Sequence, residues 1–236
     1  MFGILARVST LAADLADLGD VTTLARLAPV GDRNLPVHAA LAGLFPDAGL
    51  RRGSVVGCSG PAATSLMLAL AAAPAAAGSW VAAVGLPALG IEAAAQLGVP
   101  LERLVLVDAG HGPSEWAERL AAAADGFEVL LCAPPPGAER TLRRVRQKLQ
   151  ARGAVLLAVA PPGRVGCDTE LATTGPDWVG LEPGHGALVA RRITVTCAGR
   201  RVPRPRTADV WLPTPTGEAA PLPPVLQPGS DPGCNT

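Results

Sequence analysis

Apolar and polar residues alternate along this chain in blocks rather than singly. Five compact runs, SVVGCS (54–59), SWVAAVGL (79–86), RLVLVDAG (103–110), FEVLLCA (127–133) and AVLLAVA (154–160), lack polar alternation. That predicts strands buried on both faces. Between them, GPAATSLMLALAAA, IEAAAQLG (91–98), PSEWAERLAAAAD (113–125) and ERTLRRVRQKLQARG (139–153) predict helices. Ser114 is a plausible N-cap of the third and Gly153 a stop for the fourth. Strands separated by helices of about ten residues predict an α/β fold with a mostly parallel sheet covered on both faces.

The ends of the chain read differently. Leu11, Leu15, Leu18 and Leu24 recur at helical steps with Asp14, Asp17 and Asp20 opposite, predicting a helix over 3–28. It either docks on the domain or meets a partner. A short helix is expected over 36–45. Residues 161–177 read as a loop. WVGLE, the turn PGHG, ALVARRITVTCAG and TADVWLP then have hairpin spacing, which predicts antiparallel edge strands on the C-terminal side. From Pro213 onward there are seven prolines in 24 residues, so that tail is expected to be disordered. The expected organisation is a helical segment over 1–34, a core over 35–212 and a Pro-rich tail over 213–236.

With 49% hydrophobic and 17% charged residues in 236, the chain can build a core, and 3% aromatics leave that core to Ala, Val and Leu. Lys148 is the only lysine among 20 basic residues, a skew that reads first as genomic G+C bias. The formal charge of zero hides an asymmetry: residues 137–211 carry a net +7 and residues 1–136 a net −5. A basic segment in a neutral protein points to a local anionic partner. Five scattered cysteines form no CxxC pattern, which argues against a disulfide framework or structural zinc. The start lacks a basic signal-peptide region, and Pro74, Gly78, Gly85 and Pro87 interrupt the apolar run 66–91. A soluble, cytoplasmic protein without a membrane span is expected.

The turn after the first strand is where a mononucleotide-binding loop would sit. That chemistry needs G-x-x-x-x-G-K-[ST], with backbone N–H groups and a lysine for phosphates and a hydroxyl for Mg²⁺. The chain offers Gly60, Pro61, Ala62, Ala63, Thr64, Ser65, Leu66 and Met67. Ser65 stands at the second glycine position, Leu66 at the lysine position and Met67 at the metal-hydroxyl position.

The stretch GLRRGSVVGCSGPAATSLMLAL, continued through LGVPLERLVLVD and FEVLLCA, resembles the RecA-type core over roughly residues 35–160. Within that superfamily, the ending WVGLEPGHGALVARRITVTCAGRR is similar to the actinobacterial ImuA-type accessory proteins of the mutasome. The resemblance implies a RecA-like fold, nucleoid association on DNA damage, and a role in damage-induced, error-prone translesion synthesis. It also implies an ImuB-type polymerase-like partner and, through it, the replication clamp and an error-prone polymerase. The departures from the ATPase pattern are as informative. An acid for Mg²⁺ would fall at Cys132 or Ala133, and a water-activating Glu near Leu86 or Pro87. Asp108 ends a different strand and reads as a capping or loop carboxylate. The chain therefore reads as a pseudo-ATPase with no catalytic residues, cofactor or metal.

Other candidates are weaker. His38, His111 and His185 are far apart, Asp108, His111 and Glu115 fit no ligand spacing, and Cys58 and Cys132 read as inert core thiols. The most informative charged element is the helix over 139–153. Arg140, Arg144, Lys148 and Arg152 repeat every four residues, Arg143 and Arg146 widen the stripe, and Leu142, Val145 and Leu149 form the opposite face. Arg191, Arg192, Arg200, Arg201, Arg204 and Arg206 cluster around the edge strands. These are the expected contacts with the protein partner or with DNA. Three readings stay open: a protein-binding adaptor, a divergent ATP-binding repair protein, and a DNA-binding module built on the basic helix. Direct DNA binding and self-association are also left open.

Overall fold

A computed structural model describes residues 33–182 and 184–222. The helix expected over 3–28 and the tail beyond residue 222 lie outside these described residues. A two-stranded antiparallel ribbon, β1 (Asn34–Pro36) and β2 (Gly49–Arg51), brackets the short helix α1 (Ala39–Ala42). The alternating part follows: β3 (Val55–Ser59), α2 (Ala63–Ala76), β4 (Val81–Val84), α3 (Ile91–Gln96) and β5 (Leu104–Val107). It continues through α4 (Pro113–Gly126), β6 (Val129–Cys132), α5 (Glu139–Arg152) and β7 (Val155–Val159). Four more strands close the chain: β8 (Thr169–Glu182), β9 (His185–Gly199), β10 (Val202–Trp211) and β11 (Ala220–Pro221).

Nine of these strands form one mixed sheet in the order β11-β10-β9-β8-β3-β7-β6-β4-β5. The pairs from β8 across to β5 are parallel, and those from β8 out to β11 are antiparallel. The expected architecture of a mostly parallel sheet with antiparallel strands on the C-terminal side is therefore present.

Strand side chains alternate between two cores, as the two-residue period requires. Val129 and Leu131 of β6 face the core built with α2, whereas Leu130 and Cys132 face the core built with α4 and α5. The helix α2 is apolar around most of its circumference, so ten of its fourteen residues are buried. The helix α5 is amphipathic and buries only Leu142, Val145 and Leu149. It stops at Gly153, whose φ of +70° is the left-handed conformation that glycine adopts without strain. The N-cap of α4 is Gly112 with Pro113 at the first helical position, not Ser114.

Two boundaries expected from the sequence need correction. The loop after β7 ends at Asp168, because Thr169, Leu171 and Thr173 alternate inward and add β8 alongside β3. The tail does not leave the core at Pro213. Residues 214–218 form a turn in which Thr214 N–H bonds the Glu218 carbonyl at 2.8 Å. Ala219 is then buried, and β11 pairs with β10 through Trp211↔Ala220. A prolyl residue is compatible with this position because β11 lies at the sheet's outer edge.

Candidate functional site

Ligands of open α/β sheets bind outside the carboxyl ends of the strands. The turn from β3 into α2 occupies that place, and it is sealed from within. Thr173 on β8 accepts the Ala62 N–H at 3.0 Å and donates its own hydroxyl to the Ser59 carbonyl at 2.9 Å. The Ala63 N–H is taken by the Gly60 carbonyl at 3.2 Å. Gly60 has a φ of +90°, and a Cβ there would stand 2.1 Å from the Thr173 carbonyl oxygen. The turn is thus only three residues long and pressed against β8. Pro61 and Thr64 are exposed, while Leu66 and Met67 are completely buried. Neither of the latter points to where a phosphate would lie.

Arg191 completes the seal. Although expected on the surface cluster, it is 93% buried, its 7% exposure making it the one arginine in the core among the described residues. Its guanidinium lies 4.9 Å from the Trp178 ring centroid, donates from Nε to the Leu212 carbonyl at 2.8 Å, and from Nη2 to Ser65 Oγ at 2.9 Å. Stacking and two neutral acceptors replace a carboxylate partner. Burial lowers its pKa from the usual arginine value. Ser65, at the degenerate glycine position, therefore serves an internal contact.

The positions where an ATPase would place acids are apolar or committed elsewhere. Cys132 ends β6 fully buried, and burial pushes its thiol pKa up. Asp108, after β5, accepts the Gly110 N–H and pairs with Arg119, which also holds Glu115 at 2.5 Å. These contacts, led by the Gly110 N–H, keep the Asp108 carboxyl below the ordinary range. Among the described residues, no group of three or more His, Cys, Asp or Glu is placed to hold a metal ion. Among them, too, no helix is long and apolar enough to cross a membrane.

Eight basic residues of α5 and the turn between β9 and β10 fall into three groups. Arg140, Arg143 and Arg144 are exposed on α5 and pair with no carboxylate among the described residues. Lys148 and Arg152, the other half of the expected stripe, both close on Asp125 of α4 at 2.5 and 3.1 Å. The third group gathers around Asp168, which is 2.9 Å from Arg146 Nη2, with Arg200 at 3.7 Å and Arg201 at 3.9 Å. Its Oδ2 also accepts the Val55 N–H at 3.0 Å. Arg192 pairs with Asp177 at 3.2 Å on the hairpin, and Arg206 donates to the Gly43 and Phe45 carbonyls. Beside Arg146, the loop after β7 and α5 enclose a cavity of about 230 Å³.

Thr173, Asp168 and Arg164 were not singled out from the sequence. Each acts on a partner far away in the chain, as in the Thr173 bond to Ala62 across 111 residues.

A comparison with curated proteins found no match. A family model for the MT3502 N-terminal domain matches residues 43–163, which run from the end of α1 through β7 into the loop that follows it. That match covers just over half of the chain and takes in the parallel half of the sheet with the sealed turn, so the protein belongs to the MT3502 N-terminal domain family.

Proposed function

We propose that this protein is a non-catalytic, RecA-like binding module that serves as an adaptor in damage-induced, error-prone translesion synthesis. One observation carries the non-catalytic part: the turn from β3 to α2 is filled by Thr173 and Arg191, while Leu66 and Met67 lie in the core. A phosphate cradle needs free loop amides and a cation facing them. Here the amides of Ala62 and Ala63 are already bonded, and Arg191, the cation that reaches Ser65, is committed to Ser65 and Leu212. The mostly parallel sheet with antiparallel strands after β8 supports the RecA-like reading. The translesion role and the ImuB-type partner rest on the resemblance of the sequence.

Two measurements test this reading. ATP with Mg²⁺ is expected to be neither hydrolysed nor able to stabilise the protein, whereas a ligand at a hundred times its Kd adds about 2.7 kcal/mol. A saturable rise in melting temperature with millimolar ATP would overturn the pseudo-ATPase reading. Purified full-length protein is expected to form a stable complex with an ImuB-type partner, and absence of a complex sinks the adaptor role. A second reading, a DNA-binding module, is favoured by Arg140, Arg143 and Arg144, which are exposed and pair with no carboxylate among the described residues.

A further inference from the structure

Abundant arginine is weak evidence in a chain of this composition, but convergence of arginines on one cavity is a separate observation. Val55 and Leu142 line the cavity of about 230 Å³ under the loop after β7, together with the guanidinium-bearing Arg143, Arg146 and Arg164. Glu139 is the one carboxylate in its lining, 3.4 Å from Arg164 Nε. Arg146 is steadied through a single nitrogen by Asp168 at 2.9 Å, and Asp168 is itself shared with Arg200, Arg201 and the Val55 N–H. Glu170, close by, is engaged by the Gly163 N–H at 3.1 Å. Arg143 has no ion-pair partner among the described residues, which leave the cavity wall with an excess of positive charge in a partly enclosed space.

We propose that this cavity is a phosphate-group site and that the phosphate belongs to a nucleic-acid backbone. Guanidinium forks bind carboxylates and phosphates alike. Three arginines lining one cavity, two of them held by a carboxylate through a single nitrogen each, favour an anion that offers oxygens in several directions, as tetrahedral phosphate does and a planar carboxylate does not. The backbone source follows from what surrounds the cavity. Arg140 and Arg144 extend the uncompensated charge along α5 on either side of Arg143, so neighbouring phosphates of a strand meet cations too. Among the described residues no aromatic side chain lines the cavity, so contact is with phosphate rather than by base stacking, and sequence preference should be weak. The site stands apart from the sealed turn and does not depend on the adaptor reading.

The test uses the full chain and a short fluorescent oligodeoxynucleotide, followed by anisotropy over a range of salt concentrations. Arg143→Ala and Arg164→Ala are combined, with Arg119→Ala on α4, which pairs with Asp108 and Glu115, as the control. The double variant is expected to weaken binding by about tenfold at low salt and to flatten the plot of log K against log salt by about one unit per arginine removed. Arg119→Ala should leave both unchanged. Arg143 is exposed on a helix and has no ion-pair partner among the described residues, so Arg143→Ala alone keeps the fold and carries the test if the double variant unfolds. Orthophosphate separates the sources: if it stabilises the wild type but not the variant while no oligonucleotide binds, the backbone source is overturned. Binding by the double variant equal to wild type, or no response of the wild type to either probe, overturns the site itself.

Discussion

Replacing Thr173 with valine keeps the shape of the side chain and removes its hydroxyl, so the Ala62 N–H and the Ser59 carbonyl lose their partner together. A buried polar group left unpaired costs about 1–3 kcal/mol. For a chain of this size each kcal/mol lowers the melting temperature by about 2–4 °C. Thr173→Val is therefore expected to melt several degrees below wild type, and Thr173→Ser to recover most of the loss. A Val variant that melts like wild type would show that the turn is not held by this hydroxyl. At Asp125 the effect depends on pH. The hydrogen bond from Lys148, followed by the nearby charges of Lys148 and Arg152, holds its carboxyl below the ordinary aspartate value. A depressed folded value means the contact stabilises above the unfolded pKa and is lost as pH falls through the folded one. Asp125→Asn should melt slightly lower than wild type at neutral pH, with the gap closing in acid. A gap that stays constant down to low pH would exclude this pair as its source.

At the scale of elements, α5 behaves as its pattern dictates, since three buried apolar residues fix which face meets the sheet. Arg140→Glu with Arg144→Glu should change stability by less than about 0.5 kcal/mol, because exposed unpaired charges contribute little. A fall of several degrees in thermal unfolding would mean that these arginines have structural partners. The parallel strands β3, β4, β6 and β7 were legible in the sequence for the same reason: they bury whole faces, so burial shapes their residues. The expectation of burial on both faces fails for β5, which is apolar but lies at the sheet edge with none of its residues buried and Leu106 55% exposed. The strand β8 was not. Its residues TELATTGPD carry threonine, glycine and proline that read as loop, although Thr169, Leu171 and Thr173 keep the alternation of a strand. The site was legible only in what it lacks, the lysine and hydroxyl replaced by Leu66 and Met67. What fills the gap was not legible, because Arg191 reaches Ser65 across 126 residues and nothing local in either segment announces the other.

For the molecule as a whole, the segment after Leu212 belongs to the domain. It places Ala219 in the core and β11 on β10, and Gly217 lies against α3, where an added Cβ would stand 2.6 Å from the Gln96 carbonyl oxygen. Truncation after Leu212 should therefore lower the melting temperature by several degrees, while truncation after Leu222 keeps every contact described here. Equal melting curves for the Leu212 truncation and the full chain would show that this docking contributes nothing to stability.

The sheet order has a consequence for how the chain is made. The strand β3 is central in the finished molecule, yet its neighbour β8 pairs Val56 with Thr169 and is synthesised after all the other parallel strands. Until residue 172 has left the ribosome, the parallel half presents Val55, Val56 and Cys58 along a bare strand edge. Such an edge is a template for pairing with another nascent chain. A product truncated between β7 and β8 is therefore expected to aggregate more readily than the whole chain, and light scattering of the two side by side checks this.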